Sequence, residues 1–523
     1  MPENIQALSK KAPHPKALLF ILLGLHLGVS LPTFYGMASS TLFPTILTEW
    51  NAMQFYAIAM ISSSLAMSVT TPIAGKLGDL FGRKKVFQFG TLVYLGAISG
   101  CAAAPNIVVF CGFFMFAGCG QGIVSSMSNA IIADIVPKQD VPKHVGYAST
   151  ISMVVQFIAP VTAGVIADSF GWRVFLAAFL PLSALSFFLL MKFLDGSTSP
   201  LSAKPVIDFV GIVALLGTLA PFLFLLSAGG SIIPWQSPGA YILLAIMLLS
   251  AVVLTRTELR HPSPIIDISL FRDAAFLRLF VLSLLMCIAS STVVSYLPLY
   301  IQNILGYSAS MSGTLVTPRA VVTAIVTAFF GGYVAKTGRY KGSLLFMMVF
   351  AVASYALMWR GFHADTGTFF FLLVTILNGV GSTAMITLVI SFVMLLVPRE
   401  KLGSGISLIV FTASFGGSLG NAIGGFITNA MWKSVPIPAD LAAALSPAQL
   451  GALSQSGILR NPQEIAAIRA TLAAPLADTF DLTIAALRTA LGGSISAMFL
   501  LFLVVTILAF AITLTIRVPK KEA

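Results

Sequence analysis

The sequence predicts an all-α polytopic membrane protein, on three observations. Of its 523 residues 57% are hydrophobic and only 9% charged, whereas soluble domains carry about 25% charged residues. Apolar runs near the 20 residues that a membrane helix needs recur along the whole chain. Lysine and arginine gather in alternate connections between those runs. At a mean hydropathy of +0.96, a water-soluble fold could not hide this much apolar surface, so lipid is the solvent for most of the chain. The 43 glycines and 40 phenylalanines agree: small residues let membrane helices approach, and aromatic ones fill the lipid side.

Fourteen runs are long enough to read as spans. They lie near 17–43, 52–75, 86–104, 106–132, 143–168, 172–194, 207–227, 238–256, 276–303, 309–333, 342–360, 367–396, 403–431 and 493–517. Pro32, Pro44, Pro160, Pro298 and Pro318 fall inside or at the ends of these runs and predict kinks. An even number of spans puts both termini on one side. On that side lie 23 of the 30 Lys and Arg residues, six lie opposite, and Arg319 is inside a span. The asymmetry predicts cytoplasmic termini in a multi-pass inner (cytoplasmic) membrane protein. The polar first sixteen residues read as a cytoplasmic tail rather than a cleavable signal. The segment 433–492 is then external, and its composition reads as a cap or spacer.

Several function classes are excluded at this level. A net charge of +12 would suggest nucleic acid in a soluble protein, but here the basic residues sit in short loops and act as orientation signals. Cys101, Cys111, Cys119 and Cys287 all lie in apolar runs, with no CxxC or Cys/His cluster, so neither a disulfide framework nor a zinc site is expected. No cofactor, no metal and no enzymatic constellation is expected. No Gly-rich phosphate loop occurs, so any pumping is secondary.

The most specific motif is GKLGDLFGRKK, Gly75 to Lys85, between spans 2 and 3. Gly75 and Gly78 permit close helix approach, Gly82 allows the turn, and Asp79 can accept from a helix N-terminus. Arg83 and the lysines are expected to face lipid headgroups or a partner carboxylate. The motif resembles the loop signature of the major facilitator superfamily. A degenerate copy follows span 10: Gly331, Gly332, Lys336, Gly338, Arg339 and Lys341, without the aspartate. Two copies in corresponding loops imply an internal repeat, as in facilitator folds built from two six-helix halves. The resemblance implies an N-terminal half over 1–194, an inserted helix pair over 195–275, and a C-terminal half over 276–523 that includes the loop 433–492. That layout looks like the fourteen-helix drug/proton antiporter (EmrB/QacA-like) branch. FGWRVF (170–175), IDFVG (207–211), YLPLYIQNILGYSASMSGTLVTPRA (296–320), LNGVG (377–381) and FGGSLGNAIGG (415–425) resemble the same branch. In span 5, APVTAG (159–164) resembles its antiporter signature, with Pro160 and Gly164 matching and Ala159 and Ala163 replacing two glycines. In the family this element is associated with export.

Two departures weaken proton coupling by the usual residues. The branch carries an arginine three residues before the Gln121-Gly122 pair, where this chain has Gly118, and an aspartate in span 1 where this chain has Tyr35. None of the eighteen acidic residues lies near the middle of a run. Arg319 does lie there, about 15 Å into span 10 at about 1.5 Å per residue, and a charge at that depth faces a cavity or a partner, or braces the Pro318 kink. His26 in span 1 either titrates near neutral pH or bonds a neighbouring helix. Tyr35, Gln121, Asn129, Gln156, Tyr296, Gln302 and Asn378 are further candidates for the lining. The resulting expectation is a monomeric secondary transporter that exports small organic molecules, anionic or neutral rather than cationic, by alternating access on the proton gradient. An organic-anion importer or exchanger is the alternative within transport. A non-transporting receptor is the alternative outside it, and saturable flux in vesicles separates the two. Asp79 is expected to latch onto the start of span 13, near Gly403 and Ser404, when the cytoplasmic side is closed.

Overall fold

The computed structural model describes residues 15–135, 141–194, 208–229, 233–260, 268–362, 366–381, 384–397, 402–453, 458–459 and 462–516. These residues form nineteen α-helices and two short 3-10 turns, with no strand among them. The first group is α1 (Pro15–Glu49), α2 (Tyr56–Phe81), α3 (Arg83–Ala103), α4 (Ile107–Ile135), α5 (Val141–Phe170), α6 (Trp172–Ala178) and α7 (Leu180–Phe193). Next come α8 (Phe209–Ala228) and α9 (Pro238–Arg260). The second group is α10 (Ala274–Asn303), α11 (Ala309–Thr337), α12 (Tyr340–Gly361), α13 (Thr368–Gly381), α14 (Ala384–Leu396) and α15 (Leu402–Lys433). Three short helices follow, α16 (Ala439–Ala444), α17 (Pro447–Leu453) and α18 (Pro462–Ala470), before the last, α19 (Ala474–Thr515).

Most described residues of the fourteen apolar runs are helical. Among the described residues twelve stretches are long and apolar enough to cross a membrane, and Ile158–Phe170 and Thr368–Gly381 are shorter apolar helices. α6 and α7 together make one stretch, Trp172–Phe193. Backbone groups have no water to bond in lipid, so every apolar stretch closes its own hydrogen bonds as helix. Prolines 32, 44, 160, 298 and 318 all lie within helices, and α8 adds Pro221. One end of the bundle, here the terminal end, holds the start of α1 and the end of α19. The opposite end is called distal.

Helices α1–α7 pack mainly among themselves, as do α10–α15 with α19. The seams between the groups are α5 on α11 and α2 on α15, with α1 also touching α10 and α11. α8 lies against α2 and α15 and carries α9, only 6% of whose apolar window is buried. Two corresponding turns are built alike. Gly82 ends α2 with φ +90° and Gly338 ends α11 with φ +66°, a region that side chains with a Cβ avoid, and each is followed by an arginine that starts the next hairpin arm.

The segment after α15 packs more tightly than a spacer would. Leu441, Leu453, Leu459 and Ile468 are buried in the main core cluster together with Phe480, and Arg469 Nε meets Asp481 Oδ2 at 2.7 Å between α18 and α19. The final span was expected at 493–517, but its helix begins at Ala474. Its 42 residues give about 63 Å at 1.5 Å per residue, twice the hydrocarbon core of about 30 Å, so its first half stands beyond the core as part of this cap.

Candidate functional site

The two groups of helices meet through a polar seal in the distal half. Gln302 on α10 is 1% exposed. Its Nε2 donates to the Thr41 carbonyl of α1 at 3.1 Å, and its Oε1 accepts from Thr45 at 3.5 Å. The Tyr56 hydroxyl of α2 donates to the Ser295 carbonyl of α10, and its ring packs edge-on to Tyr296 at 5.2 Å. The Ser64 and Ser418 hydroxyls join α2 to α15 at 2.7 Å. The Ser310 amide, in the first turn of α11, donates to Asp168 Oδ2 of α5 at 2.7 Å. That amide is among the helix's otherwise unbonded first donors, and the positive end of the helix dipole favours the carboxylate.

Beside Asp168 the helices α5 and α11 touch backbone to backbone. A Cβ on Gly164 would stand 2.5 Å from the Ala309 carbonyl oxygen, and one on Gly313 would overlap the Pro160 carbonyl. The two matched residues of the span 5 motif, Pro160 and Gly164, thus form one wall of this seam. Gln302 and Tyr296, expected to line a substrate path, belong to the seal. Tyr296 donates to the Asn421 carbonyl of α15 at 3.1 Å.

Arg319 sits deeper, 5% exposed, among α10, α11, α12 and α13. Its Nε donates to Asn378 Oδ1 at 2.8 Å and its Nη2 reaches Ser290 Oγ at 3.4 Å. Asn378 Nδ2 donates in turn to Ser354 Oγ at 3.0 Å. The Thr323 hydroxyl donates to the Gly379 carbonyl at 3.0 Å, and a Cβ on Gly379 would stand 2.7 Å from the Arg319 carbonyl oxygen. The structure therefore pairs Arg319 with Asn378, two residues the sequence singled out separately, as a brace inside one helix group.

Tyr35 is packed rather than lining. Its hydroxyl donates to the Leu176 carbonyl at 2.7 Å, and its ring lies among Phe34, Tyr94, Phe175 and Phe179. Gly118 leaves no room for the arginine of the resembled branch, because even a Cβ there would collide with the Ser63 backbone of α2. His26 and Gln121 are partly exposed. On α1, His26 and Thr33 are half-buried and Gly36 is exposed, at helical spacing, and the helix is contacted by both groups. The side chains of Gly75, Asp79, Asn129 and Gln156 lie outside the described residues, as do those of Gly403 and Ser404, so the Asp79 contact is not among the described ones.

In the loop motif Gly78 is buried against Met127. Lys84 Nζ donates to the Met191 carbonyl at 3.0 Å and to that of Leu194 at the end of α7. Lys341, in the copy, donates to the Leu514 carbonyl near the end of α19 at 2.6 Å. Each basic loop thus caps the last helix of its group, where cations offset the unbonded carbonyls. Outside the cap formed by α16–α18 and the first half of α19, the described acids all lie within three residues of a helix end, as Glu49, Asp168, Asp208 and Asp273 do. Glu258 is buried inside α9 two residues from its end. Sequence reasoning placed Asp168 only near a span end. The available signal was the Ser308-Ala-Ser start of the helix it docks on, an N-cap whose hydroxyl accepts from Met311 N.

The family model described as Major Facilitator Superfamily matches residues 25–341 and 279–439. The chain belongs to the major facilitator superfamily. It is a membrane transporter of small molecules and not an enzyme. It is 26% identical to the multidrug transporter protein MdtP of Bacillus subtilis over 81% of this chain and 77% of that one. It is 25% identical to multidrug resistance protein 3 of the same organism over 78% and 79%. The fold is that of an inward-facing, unoccupied bacterial homologue of the human lysosomal transporter Spinster, with TM-score 0.65 at 14% identity over 96% of this chain and 99% of that one. A D-xylose-proton symporter superposes with TM-score 0.53 at 15% identity over 87% and 96%.

Proposed function

We propose that this facilitator exports small organic molecules by alternating access, driven by the proton gradient, as a fourteen-span member of the drug/proton antiporter branch. The two six-span halves, 1–194 and 276–523, rock about the α5–α11 and α2–α15 seams, with the pair in 195–275 set outside them. The observation that carries this is the distal seal. Its contacts join the two groups through single hydrogen bonds, a buried aromatic pair and bare backbone. Such contacts can part as a unit when the distal side opens. The path then runs past the stripe of α1 at His26, Thr33 and Gly36. The names of the two Bacillus relatives support export of varied compounds.

Everted vesicles test this. A compound panel should accumulate when the vesicle interior is acidified, and the accumulation should fall at least about tenfold when the gradient is collapsed. Unchanged accumulation would remove proton coupling. Gly118 and Tyr35 at the coupling positions favour one other reading, an organic-anion exchanger, which would instead show gradient-independent counterflow.

The orientation has its own test. With the four native cysteines removed, Ser446→Cys in the exposed cap should react with an impermeant thiol reagent on intact cells. Thr337→Cys, exposed at the terminal end, should react only after permeabilisation. The reverse pattern would invert the protein in the membrane.

A further inference from the structure

At the terminal end of the second helix group, α10, α12 and α19 enclose an open concavity of about 620 Å³ lined by Arg278, Lys341, Leu514 and Thr515. Lys341 Nζ donates to the Leu514 carbonyl, and Arg278 Nη1 donates to the Thr515 carbonyl at 3.2 Å. A helix end contributes roughly half a negative elementary charge. Two cations exceed it, so the concavity keeps a positive surplus. Capping also leaves most donors unused, since a guanidinium has five N–H groups and an ammonium three. In the first group Lys84 caps the end of α7 in the same way.

The concavity lies at the foot of a lipid-facing stripe. Leu500, Val504, Ile507, Leu508 and Leu514 are exposed on α19 and fall within an arc of about 120° at 100° per residue. A ligand that is anionic at one end and apolar along its length matches both features. We propose that Arg278 and Lys341 form a headgroup site for an anionic phospholipid, whose phosphodiester bridges the two cations while its acyl chains lie along α19. Basic pockets between membrane helices hold anionic headgroups by this combination of charge and depth. Bound there, the lipid would tie the starts of α10 and α12 to the end of α19. The proposal does not depend on the direction of transport or on the coupling ion.

The test uses the full chain purified in detergent and supplied separately with phosphatidylglycerol, phosphatidylcholine or inorganic phosphate. Native mass spectrometry should show phosphatidylglycerol retained at least about fivefold over phosphatidylcholine, the preference expected from a single cation near a membrane surface. Phosphatidylglycerol should also raise Tm more than phosphatidylcholine does. Arg278→Gln combined with Lys341→Gln should abolish both preferences, and Arg278→Lys combined with Lys341→Arg should keep them. Equal retention of the two lipids by the native chain would overturn the proposal, a result that stands even if the glutamine variant fails to fold. An undiminished preference in the glutamine variant would overturn it as well. A Tm rise with millimolar phosphate equal to that with phosphatidylglycerol would replace the lipid with a free anion.

Discussion

Gly313→Val is expected to lower transport at least about tenfold without preventing membrane insertion. Even one carbon on Gly313 overlaps the Pro160 carbonyl, and the obstacle is backbone on a neighbouring helix, which no rotamer change removes. Overpacking of this kind costs about 1–3 kcal/mol, and about 1.4 kcal/mol is tenfold in an equilibrium. The strain exists only while α5 and α11 are in contact, so it acts against the distally closed state and leaves the separated state untouched. A transporter held in one state binds but does not cycle. Ser295→Cys supplies an independent readout, because that position is 5% exposed within the seal. It should resist an impermeant thiol reagent in the native background and react once Gly313→Val is added. Gly332→Ala, at an exposed position where a Cβ meets nothing within 4 Å, should leave transport within about twofold, since an exposed glycine changed to alanine alters stability by only about 1 kcal/mol. Native flux in Gly313→Val would show that the seam does not separate during transport.

The spans were legible in the sequence because lipid imposes one rule on every residue of a span. The turn at Gly82 was legible because glycine adopts its positive φ at least cost. Polar residues were legible only as polar. Gln302 and Asn378 look alike in a helical run, yet one crosses between helix groups and the other holds Arg319 inside one group. Hydropathy reports depth and says nothing of azimuth, so a residue that seals a path and one that lines it read the same. Gly118 is a different case. Its sequence shows an arginine missing, and only the packing against Ser63 shows that none could be placed there. Helical periodicity is legible over 462–490, but the charge of an external loop hid that this helix runs unbroken into the final apolar stretch as α19.

Arg319→Gln is expected to depress transport of anionic, neutral and cationic compounds alike, by about ten- to a hundredfold. The guanidinium bonds Asn378 and Ser290 within the helix group, and Asn378 carries the chain on to Ser354. Hydrogen bonds to a charged group contribute about 1.5–3 kcal/mol each, and glutamine is too short to hold both α10 and α13 from α11. Losing the brace should therefore disturb α11, the helix that bears Gly313 and receives Asp168, and every substrate depends on that helix. Substrate charge is a separate matter. A permanent organic cation entering a low-dielectric path loses hydration and needs a carboxylate or an aromatic cage. Outside the cap, the described carboxylates keep to the helix ends, so a quaternary ammonium dye should compete poorly against an aromatic carboxylate in the native protein. Running that competition with both variants separates the two ideas. A loss confined to anions, with normal surface expression, would make Arg319 a direct substrate contact rather than a brace. Strong cation transport by the native chain would overturn the charge preference while leaving the brace intact.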